Sequence, residues 1–244
     1  MNALSTSKLL RVWERALGEV PAGRSLALLA AACPEMSPEE LASLSVGRRD
    51  RMLLALRERT FGPRLVGLAP CGACGEGLEL SFDVADISAG QAAEAEGELT
   101  AEADGYEVRF RLPNGGDLLA VAARGDAEGG RQHLLARCLL RAARGGAPVA
   151  FEELPDGVLD AVESRMAEAD PQADVRLALT CPACGHRWLA TFDVVSYFWS
   201  EVNAWAYRVL GEVHRLASAY GWREEDILAM SPWRRHVYLE MVGG

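Results

Sequence analysis

Along the first 62 residues, apolar side chains recur at helical spacing. Leu9, Leu10, Trp13 and Leu17 form one stripe, with Lys8, Arg11, Glu14 and Arg15 between them. Pro21 and Gly23 interrupt this pattern, and Ser25 to Cys33 reads as a short apolar helix. Ser37-Pro38-Glu39-Glu40 carries an N-cap serine, a proline at the first helical position and a capping-box glutamate. A further helix is expected from about Gly47 to Thr60, stopped by Gly62 and Pro63. The period then changes from 3.6 to 2. Leu78, Leu80, Phe82 and Val84 alternate with Glu79, Ser81 and Asp83, as in a strand with one buried face. Trp188, Ala190, Phe192 and Val194 repeat that alternation, with Val175 to Thr180 leading in.

Residues 88–104 are rich in Ala, Glu and Gly without clear period and read as a linker. Tyr106, Val108, Phe110 and Leu112 predict a strand ended by Pro113-Asn114-Gly115. Helices are expected over about 117–123, 128–143 and 155–169. The stretch 197–242 is helical by pattern, with Phe198, Val202, Trp205, Val209, Leu216 and Tyr220 near one stripe, a break at Gly221, and a last helix opened by Ser231-Pro232.

These elements predict an α+β fold. Helical N- and C-terminal segments (1–63 and 197–244) surround two hairpins (64–87 and 173–196). A linker (88–104) and an inserted region of strand and helices (105–172) lie between them.

The two hairpins are copies of one unit. Cys71-Gly-Ala-Cys74-Gly75 and Cys181-Pro-Ala-Cys184-Gly185 match at a constant offset of 110, which also relates Phe82 to Phe192 and Asp83 to Asp193. A C-x-x-C pair supplies two thiolates and a tetrahedral zinc takes four. Cys71, Cys74, Cys181 and Cys184 are therefore the candidate ligands of one structural zinc, in a zinc-ribbon arrangement. Unliganded thiols and a redox C-x-x-C share the pattern, but no thioredoxin-like βαβ context surrounds either pair. Four thiolates leave no open position for water, so such a site is structural and not catalytic. His186 is read as an exposed or supporting residue, Cys33 and Cys138 as small core residues, and Asp83 and Asp193 as capping or hairpin-closing residues. No clustered acid, base or nucleophile is apparent, and a non-enzymatic role is expected.

The formal net charge of −10 argues against general nucleic-acid binding. The longest apolar run, Leu26 to Cys33, is too short for a bilayer. The amphipathic N-terminus is unlike a signal peptide, so a cytoplasmic, reduced setting is expected. Nine of the 17 aromatic residues fall between Tyr197 and Tyr238, interleaved with arginines. Trp199, Trp222, Trp233, Arg234 and Arg235 are the candidate partner contacts, because Trp, Tyr and Arg dominate interface hot spots. A zinc-ribbon nucleic-acid binder or regulator is the alternative class.

Three blocks carry a resemblance. Glu39-Glu40-Leu41-Ala42-x-Leu44-Ser45-x-Gly47-Arg48-Arg49-Asp50, followed by Thr60-Phe61-Gly62-Pro63 and the first knuckle, resembles small proteins of contractile injection systems. Tyr106-x-Val108-Arg109-Phe110-Arg111-Leu112-Pro113, followed by Asp117-Leu118, is similar to contractile phage-tail baseplate proteins, among them the T-even-type baseplate hub assembly chaperones. So is the block from His214 through Tyr220-Gly221-Trp222 to Ser231-Pro232-x-Arg234-Arg235. The resemblance implies a baseplate component or assembly chaperone whose partners are hub, spike or wedge proteins.

Overall fold

A computed structural model describes residues 1–88, 97–125 and 129–243. The chain is mixed α and β, with small antiparallel sheets set among helices. Four helices open it: α1 (Thr6–Ala16), α2 (Pro21–Ala32), α3 (Pro38–Ser43) and α4 (Val46–Phe61). Pro21 starts α2 at its first turn, where the missing N–H costs nothing, so the residue expected to break a helix begins one. Ser37 and Glu40 form the expected capping box on α3.

Hairpin β1 (Arg64–Pro70) and β2 (Gly77–Asp83) follows, then a single helical turn, α5 (Val84–Ile87). The insertion contains β3 (Leu99–Ala103), β4 (Tyr106–Phe110), α6 (Gly115–Ala122), α7 (Gly130–Cys138), β5 (Leu139–Arg144), β6 (Ala147–Pro148) and α8 (Asp156–Ala169). Its sheet has the order β3-β4-β5-β6. Two sequence expectations change here. The linker at 88–104 ends in β3, where Ala101 faces the core opposite Val108; residues 89–96 lie outside the described residues. The helix expected over 128–143 stops at Cys138, because Leu139–Arg144 pairs with β4 and buries Ala142 and Ala143 in the insertion. Strand pairing outweighs the helical preference of Leu, Arg and Ala.

The second hairpin, β7 (Arg176–Thr180) and β8 (Arg187–Thr191), leads into α9 (Val194–Tyr220), α10 (Glu224–Ala229) and α11 (Pro232–Gly243). Gly221 ends α9 in the left-handed region at φ 69° and donates to the Ala217 carbonyl.

The main core joins both ends of the chain. Leu9, Trp13, Leu28, Leu29, Leu53 and Leu56 pack with Phe198, Val202, Ala206 and Val209 of α9. Arg57 on α4 anchors this contact: its guanidinium forms a two-point pair with Glu201 at 2.6 and 2.8 Å and donates to the Gly62 carbonyl. The insertion has its own core, built on Val108, Phe110, Val158 and Val162. Asp117, 1% exposed, draws its parts together by accepting from Arg111 and Arg137 and capping α6. The N–H of Val46 donates to Pro113 and Gly47 to Asp170, fixing the insertion against the start of α4.

Candidate metal centre

Each knuckle is a tight turn between two strands. The Cys71 N–H donates to the Glu76 carbonyl at 2.8 Å, and the Gly75 N–H returns to the Cys71 carbonyl. In the second copy the Cys181 N–H donates to His186 at 2.8 Å, and Gly185 returns to Cys181. Gly75 (φ 78°) and Gly185 (φ 73°) occupy the left-handed conformation that closes the turn and that a side chain disfavours.

The copies meet about an approximate twofold relation. Cys71 Sγ lies 3.8 Å from Cys184 Sγ, and Cys74 Sγ lies 3.6 Å from Cys181 Sγ. All four sulfurs fall within 4.8 Å of one another. The first cysteine of each knuckle is buried and the second is exposed. Phe82 and Phe192, matched in sequence, meet edge to face with centroids 5.6 Å apart. Below the sulfurs, Leu78, Leu80 and Trp188 form a small apolar floor. Deeper still, Leu65, Phe82, Leu177 and Phe192 join the main core, so both hairpins are rooted in the helical body.

Sulfurs on a tetrahedral zinc with Zn–S of about 2.3 Å stand roughly 3.8 Å apart. The spacing here fits that set and is far from the ~2.05 Å of a disulfide. The electrostatics point the same way. Burial raises the Cys71 thiol, but donation from the backbone amides of Cys74 and Ala73 outweighs it and brings Cys71 down to about 7. For Cys74 the Glu76 backbone hydrogen bond lowers the value, yet hydrogen bonding with the Cys184 and Cys181 sulfurs pushes it up to about 12. Cys184 is raised as well: its backbone hydrogen bond from His186 is outweighed by burial and by the Cys181 and Cys71 sulfurs. Cys74 and Cys184 therefore resist ionising beside their sulfur neighbours unless a cation compensates them.

The surroundings of the cluster are filled by structural contacts. The His186 ring stacks on Trp188 at 5.6 Å. The Asp193 carboxylate caps α9 by accepting from the Ser196 N–H at 3.0 Å and its hydroxyl at 2.6 Å. Asp86 accepts from the Asp83 N–H. Sequence reasoning did not find Tyr197. Its hydroxyl accepts from the Val66 N–H and donates to the Val66 carbonyl, both at 2.9 Å, and so occupies the outer edge of β1 as a neighbouring strand would.

The candidate partner residues divide by burial. Trp199 is buried, with Arg24 over its ring at 5.0 Å. Arg235 is 2% exposed; its guanidinium pairs with Glu212 at 3.0 Å and donates to the Met230 carbonyl, holding α11 onto α9. The structure thus gives both of these residues interior roles, because their sites supply apolar cover for the indole and acceptors for the guanidinium. Trp222 is half-buried, stacked on Tyr220 at 4.5 Å and edge-on to Tyr238. Trp233, 75% exposed, and Arg234 face outward. Ser45-x-x-Arg48-Arg49 and Ser231-x-x-Arg234-Arg235 share one short pattern and one local arrangement: each serine hydroxyl caps its helix at 3.3 Å, and each second arginine is buried.

No helix among the described residues is long and apolar enough to cross a membrane. No curated protein and no solved structure matches the chain. Residues 26–199 match the family described as T4 bacteriophage base plate protein, a span that runs from within α2 through α3, α4, both knuckles and the whole insertion to the start of α9. With well over half its length matched, this chain belongs to the T4 bacteriophage base plate protein family.

Proposed function

We propose that this chain is a non-enzymatic structural or assembly protein of a contractile injection system or phage-tail-like baseplate. Family membership over residues 26–199 carries this reading. Its partners are other baseplate components, of the hub, spike or wedge type, met in the cytoplasm where particles assemble. A chaperone-like role and a permanent place in the particle are both forms of this activity.

Cys71, Cys74, Cys181 and Cys184 hold one zinc ion with a structural role. When bound, the ion supplies charge compensation and a rigid crosslink, with no open position for substrate. The chain's own residues do the positioning. The matched glycines turn each knuckle, Phe82 and Phe192 fix the hairpins against each other, and the crossed sulfur pairs join residues 107 and 113 positions apart. Coordination of this kind contributes on the order of 10 kcal/mol at neutral pH. The insertion leaves and returns to the body at the metal-bearing hairpins, so its placement depends on that crosslink as well as on Asp170 and Pro113. The exposed Trp233 and Arg234 are the partner-facing side chains of the C-terminal helix.

The test is deletion of the gene in a particle-producing strain, with quantitative mass spectrometry of the particles. Tubes and sheaths without baseplates, restored by the gene in trans, are expected. Particles of normal composition and infectivity or killing activity would contradict the proposal. A fixed copy number in purified wild-type particles identifies a subunit, and absence from them identifies a chaperone.

A further inference from the structure

The four sulfurs of the metal centre face one another in a way that suits a second chemistry. The pairs at 3.6 and 3.8 Å are both crossed, each linking one knuckle to the other. Each pair also joins an exposed sulfur to a buried one: Cys74 with Cys181, and Cys184 with Cys71. An oxidant arriving from solvent reaches the exposed member first. The buried member lies opposite, within 2 Å of disulfide bonding distance, and is the natural resolving thiol.

We propose that the centre is a convertible crosslink: on exposure to a peroxide, Cys74 joins Cys181 and Cys184 joins Cys71, and two disulfides replace the metal. The exposed thiolate attacks one peroxide oxygen, breaking the O–O bond to give a sulfenic acid and, after protonation, one water. The buried thiolate attacks that sulfenyl sulfur, the S–S bond forms, and the departing hydroxide takes a proton to leave as a second water. Each disulfide consumes one peroxide, which is reduced as two thiols are oxidised. Two peroxides convert all four cysteines. Disulfide sulfurs are poor ligands, so the metal is released while the hairpins stay joined at the same four positions. The inference rests on the reading that these sulfurs hold zinc in a reducing cytoplasm. It gives a particle that later meets an oxidising exterior a junction that does not need the ion.

The experiment uses the full wild-type chain as purified, treated with hydrogen peroxide. Zinc release is followed with a colorimetric chelator, and non-reducing peptide mass spectrometry with fragmentation between the cysteines assigns the pairs. The expected result is release of zinc with the loss of four hydrogens from the reduced, metal-free mass, and with Cys71–Cys184 and Cys74–Cys181 linkages. Cys33 and Cys138, both buried, remain reduced as internal controls. Disulfides within a knuckle, parallel Cys71–Cys181 pairing, links between chains, or conversion to sulfinic and sulfonic acids would each overturn the proposal. The reduced chain stripped of metal receives the same treatment. Crossed pairing in both samples, with no zinc in the chain as purified, would refute the metal reading while upholding the disulfide sites.

Discussion

The backbone N–H of Gly47 donates to the Asp170 carboxylate at 2.8 Å, across 123 residues of sequence. Gly47 lies in the first turn of α4 and Asp170 directly after α8, so this contact seats the insertion on the N-terminal helices. A Cβ at Gly47 would lie 1.8 Å from Asp170 Oδ1 and 2.9 Å from the Ala173 backbone. The family-like block around Gly47-Arg48-Arg49-Asp50 thus contains a glycine whose hydrogen atom is a packing requirement. The Gly47→Ala variant is expected to lose at least about 2 kcal/mol of unfolding free energy, since neither neighbour is a free chain end. Gly67→Ala, with nothing within 4 Å of its new methyl, is the control and is expected to change stability by less than about 0.5 kcal/mol. Urea denaturation of both variants checks the contrast.

Asp50 predicts a pH dependence. Burial pushes its carboxyl up to about 6, against the opposing pull of the Arg49 guanidinium 2.7 Å away. A carboxyl raised on folding favours the folded state fully below its unfolded value, and that contribution is lost as pH rises through the folded value. The gain in stability of Asp50→Asn over wild type is therefore expected to grow between pH 4 and pH 7, by up to about 3 kcal/mol. Denaturation at several pH values measures it; a difference that stays flat or shrinks would contradict the burial of a strained carboxylate.

Two tryptophans separate folding from contact. Trp199→Ala empties a buried site under Arg24 and is expected to cost about 3–5 kcal/mol. Trp233→Ala removes an exposed ring and is expected to change stability by less than about 0.5 kcal/mol, while reducing capture of baseplate proteins in a pull-down. Undiminished capture by Trp233→Ala would remove the C-terminal helix as an anchor.

The four-cysteine cluster is the most legible feature of the sequence, because a repeat at constant offset carries both the cysteine spacing and the local strand pattern. The constant offset even extends to Leu65 and Val175, which pair with Phe82 and Phe192 in the two hairpins. What the sequence concealed depends on distant partners. Leu139–Arg144 contains good helix formers, and only β4 makes it a strand. Arg235 has the character of a surface residue until Glu212, a turn and a helix away, buries it in a pair. Asp170 and Tyr197 carry no local signal, because their roles exist only where Gly47 and Val66 approach them. Leu99 and Ala101 lie in a stretch too rich in Ala, Glu and Gly for two alternations to stand out.

The central claim is that sulfurs from the two knuckles share one ion. Elemental analysis of the chain purified without metal affinity steps, alone and with Cys71→Ser or Cys181→Ser, tests it most directly. One zinc per chain, lowered equally by either substitution, is the expected result. Zinc lost with one substitution and retained with the other would show that the knuckles do not converge on a common ion.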